Sequence, residues 1–151
     1  MPFDAGGLEV LEDDECLALL QTTPVGRIVF THQALPAVQP VNYALDGEDV
    51  IIRTSPGSKL AAALRNAVVA FEIDDYDAED RTGWSVVLVG QARRVSDPAE
   101  LIGLRGLDLW PWVPGEREEF IRISPRLRSG RRILNSTEAA GRAGRVDSSS
   151  R

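Results

Sequence analysis

The sequence predicts a mainly β, α+β fold: a small antiparallel barrel of six strands with two or three short helices. Three observations carry this. Six short runs rich in Val, Ile and Phe are spread along the chain, and the helical stretches between them are too few for parallel βαβ units. Asp46-Gly47 separates two alternating runs, the pattern of a tight hairpin. At 151 residues, 43% hydrophobic and 26% charged, the chain has the size and composition of one globular domain with one core.

The elements follow in order. Glu12 to Gln21 reads as a helix, capped by Asp13 or Asp14, with Leu11, Cys16, Leu19 and Leu20 near one face. Pro24 ends it, and Val25 to Thr31 is the first strand. Ala37 to Leu45 is the second, interrupted by Pro40, which belongs on an edge, at a bulge or beside a ligand. Asp49 to Thr54 completes the hairpin. A short helix from about Ser58 to Asn66 has Ser58 as its N-cap. Val68 to Ile73 is the fourth strand, Asp74 to Gly83 an acidic loop, and Trp84 to Val95 the fifth strand, kinked at Gly90. Asp97-Pro98-Ala99-Glu100 starts a third helix that runs to about Leu107: a cap, proline at the first position, glutamate at the third. An aromatic, proline-rich loop at Trp110 to Pro114 precedes the sixth strand, Glu119 to Ser124. The domain is expected over residues 1–134. Residues 135–151 are small and polar, too poor in apolar surface to order themselves, and are expected to form a disordered tail.

Bulk properties narrow the function classes. One cysteine, Cys16, allows no intrachain disulfide. No apolar run approaches the ~20 residues that span a bilayer, and Met1-Pro2-Phe3-Asp4 does not open a signal peptide. A cytoplasmic protein without a membrane partner is expected. Nine arginines against four acids in residues 117–151 give a basic terminal segment on an acidic body. Nucleic-acid binders usually carry a basic domain or stripe, so this segment reads as a solvated arginine-rich tail and no nucleic acid is expected.

The catalytic and cofactor motifs with fixed spacing are missing. Gly57-Ser58-Lys59-Leu60 lacks the first glycine and last hydroxyl of a P-loop. One cysteine and one histidine leave no zinc site, and a Ser-His-Asp triad would have to use that histidine, His32, near which nothing looks like a nucleophile elbow. What stands out is Arg53-Thr54-Ser55-Pro56-Gly57-Ser58-Lys59, which holds the one lysine of the chain. A strand end, a turn and a helix start are crowded there with hydroxyls and two cations. Helix starts attract anions, lysine adds a mobile charge, and arginine a planar fork suited to phosphate oxygens. Two readings stand on the spacing alone: a phosphate site, or a joint whose charges face water.

Two further clusters bear on that choice. Gln39-Pro40-Val41-Asn42-Tyr43 lies on the strand paired with the one leading into Arg53, and a proline-interrupted strand leaves backbone groups for the polar edge of a planar ligand. Trp84-Ser85-Val86 opens the fifth strand, where Ser85 is expected to reach the same phosphate; Trp84 taken alone reads first as a barrel-end core residue.

Taken together with Val25-Gly26-Arg27-Ile28 and the acidic stretch before Trp84, these segments resemble the pyridoxamine-5'-phosphate-oxidase-like flavoproteins, the FMN-binding split-barrel superfamily, and its small actinobacterial members in particular. The resemblance covers about Leu8 to Ser124. It implies a Greek-key split barrel and a homodimer with FMN in each interface groove. It implies that Gln39, Pro40, Val41 and Asn42 line the isoalloxazine, that Arg53, Thr54, Ser58 and Lys59 hold the phosphate and ribityl chain, and that Trp84, Ser85 and Val86 approach the phosphate end. Trp110 or Trp112 is the candidate aromatic from the partner subunit. The segment Ser124 to Arg132 does not reproduce the C-terminal motif with which the pyridoxine enzyme grips its substrate. The implied function is an FMN-dependent oxidoreductase passing hydride or electrons between a reductant and an unknown small molecule, with no catalytic side chain. The alternatives are a non-catalytic flavin binder or redox sensor, a deazaflavin-dependent reductase, and a barrel reused for haem or a protein partner.

Overall fold

The computed structural model describes residues 2–107, 109 and 119–135. The elements are β1 (Glu9–Val10), α1 (Asp13–Leu20), β2 (Val25–His32), β3 (Leu35–Asp46), β4 (Asp49–Thr54), α2 (Lys59–Ala63), β5 (Ala67–Asp77), β6 (Thr82–Arg94), α3 (Pro98–Leu104) and β7 (Glu119–Ile133). The sheet order is β1-β7-β4-β3-β2-β5-β6, and β7 also pairs with β6, so six strands close into an antiparallel ring. Closure removes most exposed edges.

All six expected strands are present; β1 is an addition of two residues on the flank of β7. Three expectations need correction. The stretch from Asp74 is not a long loop: β5 and β6 extend over Asp74–Asp77 and Thr82–Gly83 as one hairpin. The last strand does not stop at Ser124. It runs to Ile133 and pairs with β6 along almost its whole length. The arginines of this stretch are therefore not a solvated tail. Arg122 pairs with Asp46, Asp49 and Glu100, Arg128 with Asp13, Arg131 with Asp4 and Arg132 with Glu15. The basic C-terminal region thus neutralises the acidic body.

The helices keep their places, with shorter bounds. The residue preceding α1 is Glu12, which makes no side-chain cap; Asp13, Asp14 and Glu15 fill the first turn instead, where they complement the helix dipole. Ser58 caps α2 by accepting from the Ala61 N–H at 3.0 Å, and Asp97 caps α3 through the Glu100 N–H at 3.0 Å. The kink expected at Gly90 is a shift of register against Pro125, and a Cβ there would collide with the Ser124 carbonyl.

The barrel interior is filled by Ile28, Ile52, Phe71, Leu88, Ile121 and Ile123, with Tyr43 edge-on to Phe71 at 4.8 Å between ring centroids. Leu60 and Leu64 of the α2 segment join this core at the Thr54 end, while Cys16 of α1 packs against Gly130 near the other end of β7. Burial pushes the Cys16 thiol pKa up, as suits an inert core residue. A second cluster, Ile51, Val95, Leu104, Leu109 and Phe120, lies outside the barrel wall beneath α3.

Candidate functional site

β3 is the longest-reaching element of the predicted site. Its residues 35–42 pair with β2, but its ladder with β4 ends at Tyr43↔Ile52. Beyond that point one side of β3 has no strand partner among the described residues, and this is the split in the barrel wall. The Tyr43 N–H bonds to the Pro24 carbonyl on the β2 side, which fixes the alternation. Odd-numbered backbone groups face β2, and those of residues 36, 38, 40 and 42 face the split. Positions 36 and 40 are prolines, so this edge presents more carbonyl acceptors than N–H donors. Gln39 and Pro40 are exposed and Asn42 is half-buried, whereas the Val41 side chain is in the core and can offer a ligand only its backbone.

Where β4 ends, next to the split, the anion cluster forms as expected. Thr54 Oγ1 lies 3.1 Å from Ser58 Oγ, and Lys59 is exposed with no ion pair or hydrogen bond to a described residue. The Ser58 oxygen already accepts a backbone bond, so its hydroxyl hydrogen is the group left to direct at a ligand. With five residues, α2 adds little dipole, and the cluster rests on these side chains. Arg53 differs from expectation in one respect. Its Nη1 donates to the Leu109 carbonyl at 2.6 Å, and the guanidinium sits 5.3 Å from the Phe120 ring centroid. Part of its fork is committed to the outer cluster, and burial lowers its pKa.

Three charged residues join this end that the sequence did not single out. Glu119 stands opposite Thr54 in the β4–β7 ladder and is 5% exposed. Its Oε1 lies 2.5 Å from Arg94 Nε and 3.8 Å from Arg65 Nη2. Both arginines are more than half exposed. Only long-range register brings them together, so no local pattern could have marked them.

Trp84, Ser85 and Val86 are not part of this cluster within one chain. Trp84 pairs with Arg132 and Asp75, ten positions along β6 from Arg94, roughly 33 Å of extended strand. Val86 is fully buried core, Trp84 packs against the core half-buried, and Ser85 lies between Asp74 and Arg131 in the ladders. The expectation that Ser85 reaches the phosphate from the same chain is therefore not met. Instead, Trp84 helps line a cavity of about 680 Å³ with Asp75, Tyr76, Asp77 and Arg132. Trp110 and Trp112, the candidate partner aromatics, lie outside the described residues, as does the expected tail beyond 135. Among the described residues no group of His, Cys, Asp and Glu could hold a metal ion, and no helix is long and apolar enough to cross a membrane.

Comparison with known proteins places this geometry. The family model for pyridoxamine 5'-phosphate oxidase matches residues 12–132. The uncharacterized protein Rv0080 of Mycobacterium tuberculosis is 41% identical over 138 residues, covering 88% of this chain and 90% of that protein. An FAD-binding protein from Mycobacterium smegmatis is 37% identical with a TM-score of 0.73, covering 83% of this chain and 99% of its own. An FAD-binding protein from Mesorhizobium loti is 26% identical with a TM-score of 0.71, covering 83% and 97%.

Proposed function

Since the chain belongs to the pyridoxamine 5'-phosphate oxidase family, we propose that it is a flavin-dependent oxidoreductase acting on a small molecule. One observation carries the reading: the open edge of β3 lies next to the Thr54–Ser58–Lys59 cluster at the end of β4. A planar ring with polar edges fits the first, and a phosphate one strand away fits the second. That moiety is riboflavin 5'-phosphate, which is FMN itself and also one half of FAD, the flavin bound by the M. smegmatis and M. loti relatives.

In this reading the β3 carbonyls at the split accept from ring N–H groups, and Gln39 and Asn42 add adaptable side-chain amides. The Thr54–Ser58 hydroxyl pair donates to the phosphate, Lys59 supplies a full charge, and Arg53 adds its own positive charge. A bound flavin supplies the hydride and electron transfer. The protein orients it and excludes water, and none of these side chains is assigned a proton-transfer role.

The partner is a second copy of the chain. Val38, Val29, Ala70, Val89 and Leu127 are directly opposed in successive ladders, forming an apolar row across five strands. They alternate with buried Ile28, Phe71 and Leu88, so the row is on the outer wall; Val38 and Leu127 are 64% and 67% exposed. A row of this kind marks a surface that is covered in use. A second copy there would bring its Trp84 groove to bear on the flavin from across the interface, the role that one chain alone does not give to Trp84, Ser85 and Val86.

The test is the absorption spectrum of the purified protein with its released chromophore weighed. Flavin bands with an FMN or FAD mass are expected, and a deazaflavin mass or a Soret band would overturn the reading. Lys59→Ala combined with Arg53→Ala should give colourless protein.

A further inference from the structure

The cations at the open end of the barrel extend further than one phosphate needs. Lys59 follows the β4 turn, Arg65 follows α2, and Arg94 ends β6, with Glu119 of β7 between them. From β4 across β7 to β6 is two strand spacings, roughly 10 Å. A single phosphate bound by Thr54, Ser58 and Lys59 would leave Arg65 and Arg94 beyond it. Arg94 meets Glu119 through Nε, which leaves the two terminal nitrogens of its guanidinium to other acceptors. Arg65 reaches the same carboxylate only at 3.8 Å. Glu119 is 5% exposed, and its Oε2 has no hydrogen-bond partner among the described residues. Burying a carboxylate without its full complement of bonds is costly, so a second purpose for it is called for.

We propose that Arg65 and Arg94, held at the barrel mouth by Glu119, bind the second phosphate of a flavin dinucleotide, so that this chain selects FAD over FMN. The proposal rests on the flavin reading above and adds the cofactor's form and the residues that choose it. Lys59, Arg53, Arg65 and Arg94 against one carboxylate leave a net positive charge to meet the two negative charges of a diphosphate bridge. Arg65 and Arg94 lie on the side of the Thr54–Ser58 cluster away from the β3 split, where a bridge leaving the first phosphate would meet them. Glu119 is a positioning residue: it fixes the arginine stems and is itself shielded from the ligand by them.

The experiment offers the full-length protein equal concentrations of FMN and FAD, removes unbound flavin, and quantifies the bound flavins by chromatography. The wild type is expected to hold FAD at least about tenfold over FMN, the ratio that one charge-assisted contact supports. Arg65→Ala with Arg94→Gln should bring the ratio near one while FMN occupancy persists; the glutamine retains a donor for Glu119. A wild type that takes FMN as readily as FAD, or a double variant with the wild-type ratio, overturns the proposal. A wild type that takes neither flavin overturns the flavin reading with it. Should the double variant bind no flavin at all, Arg65→Ala alone decides, because that side chain is exposed: a fall in the FAD/FMN ratio supports the proposal and an unchanged ratio overturns it.

Discussion

Replacing Arg122 by Met tests the charge network that joins three parts of the fold. Arg122 is 10% exposed and touches Asp46 at 2.7 Å, Asp49 at 2.9 Å and Glu100 at 2.8 Å. These contacts tie β7 to the β3–β4 hairpin and to α3. Removing one partner of a buried ion pair costs about 3–5 kcal/mol. Here the carboxylates keep 22–50% exposure, so water recovers part of that loss. A net destabilisation of about 2–3 kcal/mol is expected, roughly 5–10 °C in Tm for a chain of this size. The control is Arg126→Met, an exposed side chain that donates one hydrogen bond among the described residues, to Gln91 at 3.2 Å, which should change stability by less than about 0.5 kcal/mol. Urea unfolding of both variants and the parent gives the comparison. The pH dependence supplies a second check. Hydrogen bonds from Arg93 first, and then from Arg122, hold the Glu100 carboxyl below the usual carboxylate range. Stability from such a group is present above the unfolded pKa and lost as pH falls through the lowered folded pKa. The gap between parent and Arg122→Met should therefore narrow in acid. A loss under about 1 kcal/mol at neutral pH, or one equal to that of Arg126→Met, would refute the reasoning.

Two other outcomes are expected. Glu72 stands beside Arg27 and Asp74 on the outer wall, and its pKa is raised from 4.5 to about 7, chiefly by burial and then by Asp74. Between those values the native state holds a proton that the unfolded chain has released, so this group makes the protein less stable as pH rises through 7; Glu72→Gln should flatten that fall in a thermal melt series from pH 5 to 8. Val89→Asp with Leu127→Asp puts charge into the apolar row; light scattering should find a monomer that has also lost its flavin, and a dimer of unchanged mass would remove the row from the interface.

Local chemistry made much of this fold legible. Ser58 and Asp97 are caps because their side chains bond N–H groups three residues away, and Asp46-Gly47 turns because Gly47 takes φ +63°. The residues at the end of β4 were legible for the same reason: Thr54, Ser58 and Lys59 lie within six positions. What stayed hidden depends on distant partners. The strand from Pro125 to Ile133 lacks an apolar alternation, because its arginines meet carboxylates more than a hundred positions earlier, Asp4, Asp13 and Glu15. Glu119, Arg65 and Arg94 meet for the same kind of reason. The distance of Ser85 from the end of β4 was hidden in the same way, since it is set by where β6 and β4 each pair along β7.

The split in the barrel wall leaves a stretch of β3 that another strand could adopt as a template, a hazard for any protein at working concentration. Pro36 and Pro40 take two of the four split-facing positions and remove the N–H donor from each. A foreign strand arriving there would find its carbonyls unmet at every second split-facing step, while a compact ring needs only a few acceptors in one place. The prolines thus work as a filter on shape: they make the opening resist the fibre-forming pairing that an unguarded edge invites, and in the proposed reading leave it to a small flat molecule.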